Sequence, residues 1–204
     1  MISSEVGKEA IKKELDKYAK AYKAMFERQA PLADQPKTML PTDPKTIWME
    51  GIGLIGLGAN AKAASIAGDL VVQNARVRAI GEDAGGFRPI SEKDLFDCEY
   101  WSLEQAKLGK GAPPKFQGKV VMITGGSGTI GFAIAEAFSK LGAQTILVDK
   151  DEIALKESVT KLGVGHKYFP IDVTHSDAAN QALLAAINNF GGLDILISNA
   201  GAAH

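Results

Sequence analysis

The chain has 204 residues, 46% of them apolar and 23% charged, a globular composition with room for one large or two small domains. A formal net charge of −1, with no broad basic stretch, argues against nucleic acid or a bilayer surface as partner. A single cysteine, Cys98, excludes an internal disulfide, and no segment reaches the roughly 18 apolar residues of a membrane span, so the expected compartment is the cytoplasm.

From the amino terminus, Glu5 to Arg28 reads as one helix. Ile11, Leu15, Tyr18, Tyr22 and Phe26 step by three or four and form a single apolar stripe, with Lys and Glu elsewhere. Such a helix needs a surface to pack on. Ala30 to Pro44, rich in proline, aspartate and threonine, reads as a loop. Thr46 to Glu50 (TIWME) reads as a short strand that runs into the glycine cluster GIGLIGLG, Gly51 to Gly58, followed by a helix from Asn60 to about Val77.

That cluster meets the Gly-x-Gly-x-x-Gly spacing at Gly51, Gly53 and Gly56. We read it as a buried packing turn and not as a dinucleotide site. No second strand ending in an acid follows, and the residues between the glycines are Ile and Leu. Further on, Ser91 with Asp94 and Ser102 with Gln105 are helix-start patterns. Cys98 lies in the apolar-aromatic run LFDCEYW and is expected in a core. Tyr100 and Trp101 suit buried contact, either in that core or at an interdomain surface. Gly109, Gly111, Pro113 and Pro114 mark a linker, placing a domain boundary between Leu108 and Gln117. The expected division is 1–110, a linker at 111–117, and a second domain at 118–204.

The second domain opens on KVVMITGGSGTIG, Lys119 to Gly131. Val120 to Ile123 is an apolar run long enough for a strand buried on both faces of a parallel sheet. Gly125, Gly126 and Gly128 break it, and Ile130, Ala133, Ile134, Ala137, Phe138 and Leu141 recur at helical spacing. A glycine turn lets the backbone come close to a pyrophosphate, and the helix start offers unpaired N–H groups. Thr145 to Val148 is the next strand, and Asp149 ends it at the distance where an acid can accept a ribose hydroxyl. His166 to Asp172, Asp177 to Phe190, and Leu193 to Ser198 continue as strand, helix and strand. The expected fold class is therefore α/β, a partial doubly wound parallel Rossmann sheet (βαβαβαβ) preceded by a smaller, mainly helical segment.

At these residues the sequence resembles the short-chain dehydrogenase/reductase family. The signature Thr-Gly-x-x-x-Gly-x-Gly is nearly met by Thr124 to Gly131, an Asp-Val pair stands at Asp172 and Val173, and the Asn-Asn-Ala-Gly run appears as Ser198 to Gly201. Thr129 stands where the family has glycine, while Gly125, Gly128 and Gly131 fit the spacing of its extended members. The resemblance implies a nicotinamide dinucleotide as ligand, held by Gly125, Ser127, Gly128, Thr129, Ile130, Gly131, Asp149, Lys150, Asp172, Val173, Asn199, Ala200 and Gly201. Asp149 favours NAD over NADP, since a carboxylate repels a 2′-phosphate, and Lys150 softens that preference.

The family's catalytic serine, Tyr-x-x-x-Lys pair and helix asparagine follow its Asn-Ala-Gly run and have no counterpart here, so no catalytic residue is assigned. The first half resembles the last part of the aldolase module of bacterial bifunctional rhamnulose-1-phosphate aldolase/alcohol dehydrogenases, on GIGLIGLGANAKAASIAGDL and DLFDCEYWSLEQAKLGKG. That module binds a divalent metal through upstream histidines. Here His166, His175 and His204 all lie in the second half, none at ligand spacing, and are expected on the surface, with no metal. The expectation is the cofactor-binding half of a longer bifunctional aldolase/dehydrogenase, inactive alone, with a small alcohol or aldehyde as substrate only in the longer form. The alternative is a non-catalytic nucleotide-binding or assembly module, with homo-oligomerisation through the exposed edge of the fourth strand.

Overall fold

A computed structural model describes residues 7–106 and 112–201. The expected helix start at Glu5, the linker residues 107–111 and His204 lie outside the described residues. The chain divides into two compact units, Met1–Leu57 with Ala64–Ala112, and Gly58–Ala63 with Pro113–His204.

In the first unit, helix α1 spans Lys8–Gln29, strands β1 and β2 span Thr46–Met49 and Gly53–Gly56, and helix α2 spans Ala61–Asp83. Helices α3 and α4 follow at Glu92–Glu99 and Ser102–Gln105. The apolar stripe of α1 does pack, through Tyr22, Met25 and Phe26, against Phe96 and Tyr100 of the α3 region. Phe96 and Tyr100 stack with ring centroids 4.6 Å apart, and Phe26 lies 5.0 Å from Tyr100. The Ser91 side chain caps α3 by accepting the Asp94 N–H at 3.1 Å. Ser102 is the first residue of α4 and not its cap, while its paired Gln105 bonds the backbone of Thr38.

Further expectations are corrected in this unit. The second glycine cluster is an antiparallel hairpin with an exposed turn, in which Thr46 pairs with Gly56 and Met49 with Gly53, although Gly56 does pack closely, since a Cβ there would run into the backbone of Ala64 and Gly68 in α2. Gly51 at φ 74° makes the reversal, and Ile52 stands exposed at its tip. The helix that follows runs to Asp83, well past Val77. Cys98 is exposed: Phe96 and Tyr100 share the buried face of α3, and a residue midway between them points away. Trp101 likewise is exposed, so only Tyr100 of that pair is buried.

The second unit holds strands β3 (Val120–Thr124), β4 (Gln144–Asp149), β5 (Lys167–Pro170) and β6 (Ile195–Ile197), with helices α5 (Thr129–Lys140), α6 (Glu152–Leu162) and α7 (Ala178–Phe190). The four strands are parallel in the order β5-β4-β3-β6. Alternate residues feed two cores. Val120, Met122, Ile146 and Val148 face Ala178, Ala182 and Ala186 of α7. Val121, Ile123 and Leu147 face Ala135 of α5 and Leu155 of α6. A strand buried on both sides reads as a continuous apolar run, as β3 and β4 do. The expected third and fourth strands are shorter than their apolar runs, because pairing stops at Pro170 and Ile197.

His166 is also corrected, being half-buried and fully engaged. Its Nδ1 accepts the buried Thr145 N–H at 3.1 Å, which leaves the proton on Nε2, 3.0 Å from Ser139 Oγ. Burial holds its pKa below the ordinary histidine value. His175 is exposed as expected.

Candidate functional site

The parallel order brings the carboxyl ends of β3, β4, β5 and β6 to one edge of the second unit, where the loops that follow them meet. A cleft of about 590 Å³ opens there. It is lined by Gly125, Gly128, Thr129, Ile130 and Gly131 after β3, and by Asp149 and Lys150 after β4. Ile171, Asp172, Val173 and Thr174 after β5, and Asn199, Ala200 and Gly201 after β6, complete the lining. Of the residues selected from the sequence only Ser127 is outside it, and Ile171 and Thr174 are additions.

The glycine turn has a specific geometry. Gly125 sits at φ 63°, a backbone state disfavoured for side-chain residues, and a Cβ there would stand 3.0 Å from the Ala200 Cα. A Cβ on Gly131 would run into the Gly125 carbonyl oxygen, so this glycine lets α5 start directly beneath the turn. Gly128 is the N-cap of α5, and no side chain caps that end. The first-turn N–H groups of α5 thus face the cleft with the positive end of the helix dipole, a setting suited to an anion.

Asp149 is held beside this turn. Its Oδ2 accepts both the Ser127 hydroxyl at 2.6 Å and the Ser127 N–H at 3.2 Å, and its Oδ1 accepts the Lys150 N–H at 2.8 Å. Burial alone pushes the carboxyl pKa up, but the Ser127 hydroxyl and the surrounding N–H groups outweigh it, so the group stays below its usual value and ionised at neutral pH. Ser127 therefore reaches the cleft only through Asp149. Asp172 accepts the Thr174 N–H and hydroxyl at 2.9 and 2.8 Å, which lower its pKa and turn its carboxylate into the brace of the β5 loop.

On the β6 side, Thr124 Oγ1 accepts the N–H groups of Asn199 and Ala200, each at 3.0 Å. Asn199 returns two bonds from Nδ2, to the carbonyls of Thr124 (3.0 Å) and Gly125 (3.2 Å). Its amide ties the end of β6 to the glycine turn. Thr124 is the first residue of the glycine motif and lies outside the residues that the resemblance implies as ligands. Its position at the end of an apolar strand, where a hydroxyl needs partners, was the available signal.

Residues 3–108 match the family described as "Aldolase class II, second domain", and residues 119–204 match "short chain dehydrogenase". Among curated relatives, the uncharacterized oxidoreductase YuxG of Bacillus subtilis (strain 168) is 30% identical over 200 residues, which is 95% of this chain and 28% of that protein. L-fucose dehydrogenase of Rattus norvegicus is 39% identical over 87 residues, 43% of this chain and 32% of the relative. The chain thus spans about a third or less of the length of these relatives. A solved 3-ketoacyl-(acyl-carrier-protein) reductase from Brucella melitensis, complexed with NADH, is 33% identical over 43% of this chain and 36% of its own, with a TM-score of 0.42. The chain belongs to the class II aldolase second-domain family over residues 3–108 and continues over residues 119–204 as a short chain dehydrogenase domain.

Proposed function

We propose that residues 118–204 bind a nicotinamide dinucleotide, NAD in preference to NADP, as the cofactor-binding part of a short-chain oxidoreductase. The observation that carries this reading is the ionised Asp149 carboxylate fixed beside an uncapped helix start and a glycine turn without side chains. The pyrophosphate would lie on the N–H groups of Thr129, Ile130 and Gly131, and Asp149 would accept the adenosine ribose hydroxyls. Lys150, the one cation among the described residues that line the cleft, would temper the repulsion of a 2′-phosphate. Asp172 and Val173 would border the adenine, and Asn199 to Gly201 would form the wall nearest the nicotinamide ribose. When bound, the nicotinamide would accept or donate the hydride.

The acid or base on a substrate oxygen is assigned to no residue of this chain, and oxidation of an alcohol or reduction of an aldehyde is proposed for a longer polypeptide that supplies that group. Within it, residues 1–110 are proposed as the C-terminal part of an aldolase-like module, with 111–117 as a linker. No helix among the described residues is long and apolar enough to cross a membrane. The single cysteine supports the cytoplasm as the proposed compartment.

Titration of NAD into the 204-residue chain followed by calorimetry tests the reading. Asp149→Ala should weaken NAD binding by about 1–3 kcal/mol, the loss of a charged hydrogen bond, and weaken NADP binding less. Equal affinity of wild type and variant for NAD would refute the assignment of Asp149.

A further inference from the structure

Helix α2 is apolar on two faces. One, with Ala67 and Val71, is buried in the first unit. On the other, Ile66, Leu70, Val77 and Ile80 are exposed by 50, 64, 49 and 66%. Their spacing of four, seven and three residues, with Gln73 in the vacant step, is that of the alternating seam positions of a helix that packs lengthwise on another helix. An unpartnered stripe of this kind marks an interaction surface.

The charges beside the stripe identify the partner. Lys62, Asp69, Arg76 and Asp83 recur every seven residues along one flank, all exposed and alternating in sign. No ion pair among the described residues involves them. Laid against a second copy of itself running the opposite way, this flank meets its complement at every position: Asp69 faces Arg76 of the second copy, Lys62 faces its Asp83, and both pairs repeat by symmetry. The same alignment sets Ile66 beside Ile80 and Leu70 beside Val77 of the second copy, and brings the two Gln73 side chains together at the axis. A parallel alignment sets Asp69 and Arg76 opposite the uncharged Asn74 and Gly81 and forfeits these pairs.

We infer that α2 is the interface of a two-fold symmetric dimer in which two copies of this chain pack α2 against α2 antiparallel. Each contact of residue i with residue j is matched by j with i, as a closed isologous interface requires. The surface is separate from the dinucleotide cleft and does not depend on it.

Sedimentation velocity of the 204-residue chain over a concentration series should show a monomer–dimer equilibrium. Arg76→Asp, which places two like charges together twice, should raise the dissociation constant about tenfold or more. The double variant Asp69→Arg/Arg76→Asp restores the complement and should restore dimerisation. In a Cys98→Ser background, Gln73→Cys should form a covalent dimer under mild oxidation, a readout that needs no disruptive change. A wild type that stays monomeric throughout overturns the proposal. So does a dimer indifferent to Arg76→Asp, as expected if the β6 edge or another surface were the contact, or a double variant that is not rescued.

Discussion

Ser127 shows how much of a binding site can act at one remove. Both of its donors close on one oxygen of Asp149, so on the proposed reading it sets the carboxylate's orientation and its charge. Ser127→Ala should raise the Asp149 pKa and lower the NAD-to-NADP affinity ratio, while Ser127→Thr keeps the hydroxyl and most of the ratio. Calorimetric titration with both nucleotides checks this. Gly131 acts through space alone, and Gly131→Ala should cost about 1–3 kcal/mol of stability in urea unfolding, because its Cβ meets a backbone carbonyl that cannot swing away. His166 is a residue whose role was not legible. Its neighbours Lys167 and Gly165 suggest surface, and only the fold brings Thr145 and Ser139 to its ring nitrogens.

The sign of the His166 effect follows from its depressed pKa. The unfolded chain takes up the proton first, near the ordinary value of about 6.5, so stability is complete above that pH and declines as pH falls toward the folded-state value. Protonation of Nδ1 would also set a proton against the Thr145 N–H. Urea midpoints should therefore drop between pH 7.5 and 5.5 in wild type and stay level in a His166→Gln variant.

At the scale of elements, the parallel unit was legible because β3, β4 and β5 are each followed by a break and a helix, and the strand ends carry polar residues in sequence-local motifs. The hairpin was not. Its second strand, Gly53–Gly56, is written in half glycine, and what makes it a strand is pairing with Thr46–Met49, a partner no local pattern announces. The length of α2 past Val77 was hidden for a related reason, since Arg76 and Arg78 read as an exit from an apolar helix. In the structure the Arg78 guanidinium lies 4.8 Å from the centre of the Trp48 ring and stays within the helix. The β3–β6 junction depends on Asp194, which was not singled out. Its carboxylate accepts the Val120 N–H and a Lys119 ammonium bond, each at 2.9 Å, and the Val120 bond first, then Lys119, hold its pKa low. Asp194→Asn should destabilise the second unit by about 1 kcal/mol at neutral pH, and the difference should shrink as pH falls below the ordinary carboxylate value of about 4 and vanish only below the lowered folded-state pKa.

At the scale of the whole molecule, the chain joins two kinds of domain that meet different needs. The second unit gathers four strand ends into one cleft, and nearly all of the cleft was legible because each strand end carries a short motif. The first unit shows no group of three or more metal-binding side chains among the described residues, and its most specific pattern is the apolar and charged seam of α2. What sequence patterns did not reveal was exposure: Cys98 read as core until the packing of its neighbours was known.

Binding of a dinucleotide in the cleft at the strand ends is read out by mapping backbone amide shifts in the 204-residue chain on addition of NAD. The largest changes should fall on Gly128, Thr129, Ile130, Gly131 and Lys150, with α1 and α3 unmoved. Shifts confined to the first unit, or none at saturating NAD, would contradict it.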